Sequence, residues 1–378
     1  MSTTAPAPRP GAHRAPVWPR LALLLLGLAA LLPGLGGGLA RLGWSLPDAV
    51  AGAAAWHGPL MVSGFFGLLI ALERAVALGG TWPYAGPVLT GAGTLALLVA
   101  GPAAAAPGFV LGSLTLVGAT LAVLARQRES FVAVLALGAA AWAVGNLLWA
   151  TGSAVHEVAP WWVAFLVLTI AGERLELSRL LAPDRVAMRR FGALMGWLVA
   201  ALVASTPVLW PAAGTRAFGL GLLALAAWLL RHDLARRTVR LKGLTRFIAV
   251  CLISGYVWLA VGGTLLFLQG LAPGTPAYDA ALHALLLGFV FSMVFGHAPI
   301  VAPALLRVSL PYGRRFYAPL LLLHGSLLVR MAGHAMQDFG WRQWGALGSA
   351  LAIAAFLLTT VFTVATAGRR TTAPRQSR

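Results

Sequence analysis

Only one cysteine, Cys251, occurs in 378 residues. That excludes a disulfide within the chain and any Cys-based metal cluster. Charge is scarce as well: 10% of residues are Asp, Glu, Lys or Arg, against about a quarter in a soluble domain. Acidic residues number only ten, so a transporter relaying protons through intramembrane carboxylates has little to work with. Motif-borne enzyme chemistry is missing too. There is no Gly-rich phosphate loop, nucleophile elbow, HExxH or carboxylate pair at catalytic spacing.

What is abundant is apolar sequence, at 59% hydrophobic residues. Many runs reach the 18 or so residues that cross a bilayer. In lipid every backbone polar group must be paired internally, and runs of this length fit helices rather than barrel strands. The sequence predicts an all-α polytopic membrane protein with twelve spans. They lie near 18–40, 57–79, 84–105, 107–126, 131–151, 159–181, 191–210, 214–231, 247–270, 282–306, 316–334 and 345–367. Residues 1–16, rich in Pro, Ala and Arg, read as a disordered basic tail. Residues 17–368 read as one membrane domain, and 369–378 as a cytoplasmic tail. The first run lacks a small-residue cleavage site, so it reads as a retained helix and not a signal peptide.

The net charge of +18 does not indicate nucleic acid, because the basic residues sit in short gaps between apolar runs. With twelve spans, 24 of the 28 Lys and Arg fall on the side of the termini. Four, Arg41, Arg216, Arg330 and Arg342, fall on the other. Basic residues collect on the cytoplasmic side, so both termini are expected there. The lipid bilayer is the expected partner. Trp56, Trp82, Trp149, Trp161, Trp162, Trp341 and Trp344 lie near span ends, as an aromatic belt requires.

A weak internal repeat is present. Span 2 ends LLIALERAVAL and span 6 ends LTIAGERLELSRL, each with a Glu-Arg pair, Glu73–Arg74 and Glu173–Arg174. Span 10 stands four spans further on, which suggests three units of four helices. The pairs read as interfacial charge, as tethers between helices, or as arginines ready for a propionate or other anion. Asn146 and Gln269 read as polar glue between helices.

Five histidines fall within or at the ends of spans. Ionisable residues there are costly and suggest function. His57 opens span 2, His283 opens span 10 and His334 closes span 11, all on the face away from the termini. His297 and His324 form a second level nearer the termini. Neutral imidazole is the commonest metal ligand and an axial ligand of haem iron. A haem between two helices needs one histidine from each at matching depth, with small residues beside them. Span 2 offers Gly58, Ser63, Gly64 and Gly67, and span 10 offers Ala284 and Gly288. His57 and His283 are therefore the candidate cofactor ligands. His297, His324 and His334 are further candidate metal ligands. Arg330, about one turn before His334, reads either as neutralising a carboxylate or a haem propionate, or as a snorkelling charge.

The stretch HALLLGFVFSMVFGHAPIVAPALL from His283, followed by LPYGRR and FYAPLLLLHGSLLVRMAG, resembles the late-helix region of the NnrS family. The resemblance implies a twelve-helix protein of the bacterial inner membrane, containing haem and copper and linked to nitric-oxide stress and denitrification. The family shows a His-Ala-His-type motif where this chain has Trp56-His57-Gly58. More broadly, the plan is similar to the catalytic subunit of haem-copper oxidases. That fold has three groups of four helices and holds a low-spin haem by histidines of the second and tenth. Spans 6 and 7 here lack the histidines of the oxidase copper site, which argues against an oxygen-reducing centre.

The expectation is a haem b protein with a role in nitric-oxide or redox stress, with copper as an additional metal and an electron donor or respiratory complex as partner. The alternatives are a transporter or channel whose histidines pack helices, and an assembly factor for a respiratory complex.

Overall fold

The computed structural model describes residues 17–178 and 184–372. The expected tail at 1–16 and most of that at 369–378 lie outside this range. Residues 369–372 continue the last helix.

Every regular element among the described residues is helical. Twelve helices are long and apolar enough to cross a membrane. They are α1 (Trp18–Ala40), α2 (Asp48–Leu78), α3 (Trp82–Ala100), α4 (Pro102–Arg126), α5 (Ser130–Ala150) and α6 (Val155–Ser178), followed by α7 (Arg185–Ala204), α8 (Pro211–His232), α9 (Gly243–Gln269), α10 (Pro276–Leu306), α11 (Arg314–Ala335) and α12 (Phe339–Ala367). The chain is a multi-pass, all-α membrane protein. With twelve crossings, the start of α1 and the end of α12 lie on one face, called the face of the termini below. The opposite face is called the far face below.

Three helices form the centre of the bundle. In their most apolar windows α6 is 83% buried, and α2 and α10 are 67% buried each, the highest values of the twelve. These are every fourth helix, as a three-unit plan requires. In α4, α7 and α12 only 33%, 33% and 28% of the same windows are buried, which suits a lipid-facing ring.

Both α2 and α10 begin earlier than hydropathy suggests, at Asp48 and Pro276 in place of 57 and 282. Their first turns carry Asp48 and Asp279 with runs of alanine, which lower the hydropathy without breaking the helix. His57 and His283 are therefore inside their helices rather than at the ends. Thr275 caps α10, its hydroxyl accepting from Tyr278 N at 3.2 Å.

The same two helices share an irregularity. In α2 a 3-10 turn (Gly52–Trp56) precedes His57, and a π-helical stretch (Leu60–Gly67) begins three residues after it. In α10 a π-helical stretch (Ala284–Phe291) begins immediately after His283. Such stretches are rare and frequently mark functional sites. Pro59, which has no N–H to donate, directly precedes the first of them.

α2 and α10 come closest in their halves nearer the termini. Further out, aromatic rings fill the space between them. Phe291 stacks on Phe65 with centroids 6.3 Å apart and meets Phe66 edge-on at 5.2 Å. Beyond these rings, toward the far face, lies the cavity described next.

Candidate functional site

The cavity has a volume of about 270 Å³, close to the lower end of small-molecule sites (~300–1,000 Å³). It is walled by α1, α2, α6, α10, α11 and α12. His57 and His283 both line it, so the pairing expected from depth alone is met in three dimensions. Their ring centroids are 6.2 Å apart and their planes differ by 17°.

Each ring is oriented by its Nδ1. His57 Nδ1 donates to the Gly34 carbonyl of α1 at 2.7 Å. His283 Nδ1 donates to the Asp279 carbonyl, one turn back on α10, at 2.8 Å. With the proton on Nδ1, each neutral ring keeps its lone pair on Nε2. This is how metal-binding histidines are held, the second nitrogen bonded to a carbonyl or carboxylate. Gly38 backs the His57 ring. A Cβ there would stand 2.8 Å from His57 Cε1, so only glycine leaves the ring its place.

Charge is concentrated around this pair. Arg41, Arg330 and Arg342 line the cavity, with Asp279 as its acid. Arg330 is buried and reaches across from α11 to Asp279. Its Nε donates to Oδ2 at 2.8 Å and a terminal nitrogen donates to Oδ1. Arg330 thus neutralises a carboxylate, one of its expected roles, and it is buried within α11 rather than snorkelling or in a loop. Arg342 Nε is buried without a hydrogen-bond partner among the described residues. The rest of the wall is mainly apolar, including Met61, Val62, Phe66, Trp162 and Leu287, with Thr275, Tyr278 and Ser349 as its other polar side chains.

The small residues expected to make room for a cofactor are placed differently. Only Gly58 lines the cavity. Gly64 packs on Ala30 and Thr94, Gly67 on Trp142, and Gly288 on Trp258. They let helices approach one another. Ser63 Oγ donates to Asn146 Oδ1 at 2.7 Å and accepts from Trp142 Nε1 at 3.1 Å. Asn146 Oδ1 also accepts from Trp162 Nε1 at 3.1 Å, and its amide donates to the Phe109 carbonyl at 3.0 Å. Asn146 is glue between helices, and through Trp162 it braces a cavity wall.

The other candidate histidines do not join the pair. His297 Nδ1 donates to the Met293 carbonyl at 2.8 Å. His324 Nδ1 accepts from Trp258 Nε1 at 2.9 Å. His334 has a buried Nδ1 without a hydrogen-bond partner among the described residues. None of the three lines the cavity. Among the described residues no three His, Cys, Asp or Glu side chains gather into a metal cluster. The repeated Glu-Arg motif has one clear structural use. Buried Arg174 Nε donates to Asp233 Oδ2 at 2.9 Å, and Tyr256 OH donates to the same oxygen at 3.0 Å. That bond makes Arg174 a tether between α6 and the segment after α8.

Sequence reasoning missed Asp279, Arg342, Gly34 and Gly38 as parts of the site, and Asp233 as a buried anchor. Asp279 had a signal. It stands four residues before His283 on one helix face, in a chain with ten acidic residues.

Fold and site together define a multi-pass membrane protein whose central helices present two oriented histidines to one cavity. The chain belongs to the family described as Domain of unknown function (DUF8744), whose model matches residues 20–365. No curated protein matches the chain.

Proposed function

We propose that the chain is an integral membrane haem protein in which His57 and His283 are the axial ligands of a b-type haem. One observation carries this reading: two near-parallel imidazoles on opposite helices, 6.2 Å apart, each with Nδ1 tied down and Nε2 free. An imidazole nitrogen lies about 2.0–2.1 Å from a bound transition metal and about 1.2 Å from its ring centre. Two rings facing one another through a single metal therefore have centres roughly 6–6.5 Å apart.

Charge favours haem over a bare copper ion. Three arginines and one aspartate line the cavity. A lone cation would meet net positive charge there, whereas the two carboxylates of a haem would find Arg41 and Arg342. Bound in this cavity, a six-coordinate haem would supply one-electron redox chemistry. The protein's own part is to hold both tautomers, through Gly34 and Asp279, and to keep water from the pair with an apolar wall. Met61, with three rotatable bonds, is the apolar wall residue with most freedom to yield space.

The remaining elements of the reading have separate support. The excess of Lys and Arg on the side of the termini favours cytoplasmic termini. The resemblance to NnrS favours a bacterial inner membrane and a role in nitric-oxide or redox stress, with copper as an additional metal. An electron donor or a respiratory complex would be the partner.

The test is an optical spectrum with elemental analysis of protein purified after haem-replete expression. A Soret band with about one iron per chain is expected. A protein without Soret absorbance sinks the proposal. Copper at one per chain without haem would assign the pair to that metal.

A further inference from the structure

The two histidines are held unequally. His283 Nδ1 donates to the Asp279 carbonyl and also lies 3.2 Å from that residue's Oδ1. The carboxylate is in turn gripped through two nitrogens by buried Arg330. A carboxylate next to Nδ1 draws on its proton and makes the opposite nitrogen a stronger donor to a metal. The arrangement is anchored on both α10 and α11.

His57 has a neutral partner only, the Gly34 carbonyl. Its backbone is broken on both sides. The 3-10 turn Gly52–Trp56 precedes it, His57–Pro59 is a three-residue helical stretch, and the π-helical stretch follows. A ring set in a segment of changing helical form, backed by Gly38, is the easier one to swing away.

We infer that His57 is the displaceable ligand and His283 the permanent one, so that a small uncharged molecule can take the place of His57 on the metal. The site for that molecule is the apolar side of the cavity formed by α2 and α6, with Met61, Val62, Trp162 and Val163. The inference rests on the haem reading above. The exchange is balanced: the bond from His57 Nε2 to the metal breaks, a bond from the incoming molecule forms, and neither electrons nor protons are transferred. His57 leaves with its lone pair.

The experiment compares the wild type with His57→Ala, His283→Ala and Asp279→Asn, each purified from haem-replete cells and probed with carbon monoxide after reduction. His57→Ala is expected to keep most of its haem, become high-spin and bind carbon monoxide readily. His283→Ala is expected to lose haem by about tenfold or more. Asp279→Asn removes the carboxylate with little change of size. It is expected to keep haem while its midpoint potential rises, a shift that a merely structural role would not produce. If His57→Ala does not fold, as judged by monodisperse elution, His57→Gln of similar volume replaces it. The reverse pattern, equal haem loss in both histidine variants, or an unmoved Asp279→Asn potential overturns the inference while leaving the haem reading intact. A wild type without Soret absorbance overturns both.

Discussion

Trp258 Nε1 donates to His324 Nδ1 at 2.9 Å, joining α9 to α11. The bond assigns the proton of the histidine ring to Nε2, which is buried without a partner. In that tautomer neither nitrogen has a lone pair free for a metal. Trp258 also covers Gly288, in the π-helical stretch of α10. His324 thus serves a helix contact behind the site.

His324→Leu should leave the Trp258 indole without an acceptor and cost about 1–3 kcal/mol. His324→Gln, which can still accept, should stay closer to wild type. Neither should lower haem or metal content per folded chain. Thermal melting in detergent followed by tryptophan fluorescence, with a metal assay on the same samples, checks both statements.

Asn146, on α5, satisfies partners on three other helices, and its loss strands several of them at once. Asn146→Ala should cost more than a single hydrogen bond, on the order of 2–4 kcal/mol, because Trp162 Nε1 and Ser63 Oγ both lose an acceptor in a dry interior. Trp162 lines the cavity, so the variant should also bind cofactor more weakly. The melting temperature and the absorbance per chain should fall together.

The buried pair of Arg174 and Asp233 is asymmetric under mutation. Asp233→Asn leaves the guanidinium uncompensated and should destabilise by about 3–5 kcal/mol. Tyr256→Phe removes one hydrogen bond to the same carboxylate and should cost about 1 kcal/mol. Yield of monodisperse protein and its thermal midpoint should rank Asp233→Asn well below Tyr256→Phe. Equal effects would contradict the tether.

Gly38→Ala is the sharpest test of how His57 is placed, since its methyl would meet the ring. It should shift the haem spectrum toward the high-spin form expected of His57→Ala while the helices still assemble. Gly52→Ala is the control, because nothing lies within 4 Å of a Cβ there. If Gly38→Ala matches this control in absorbance, His57 is not held against α1 as described.

Depth in the membrane was legible in the chain. Once the spans are counted, alternation puts His57 and His283 near one face, and the two rings do meet. The Glu-Arg pairs of α2 and α6 suggested a four-helix repeat, but that α2, α6 and α10 are the most buried helices came only from the structure. The role of Arg330 was half legible. Its charge and level could be read from the sequence, but its partner Asp279 stood in a turn that hydropathy had assigned to a loop. Arg174 looked like interfacial charge as readily as a tether, because nothing in its own run of sequence points to Asp233, 59 residues away.

The sequence by itself determined twelve helices and the level of each polar group, because lipid leaves backbone N–H and C=O groups no partner outside the helix. Which helices stand side by side was decided only by the tertiary structure. In lipid, outward and inward faces are equally apolar, so hydropathy carries no signal for neighbours, and close packing and buried hydrogen bonds set them instead. That is why the chain could name His57 and His283, while the carbonyl of Gly34, the carboxylate of Asp279 and the space beside Gly38 emerged only when α1, α2, α10 and α11 were brought together.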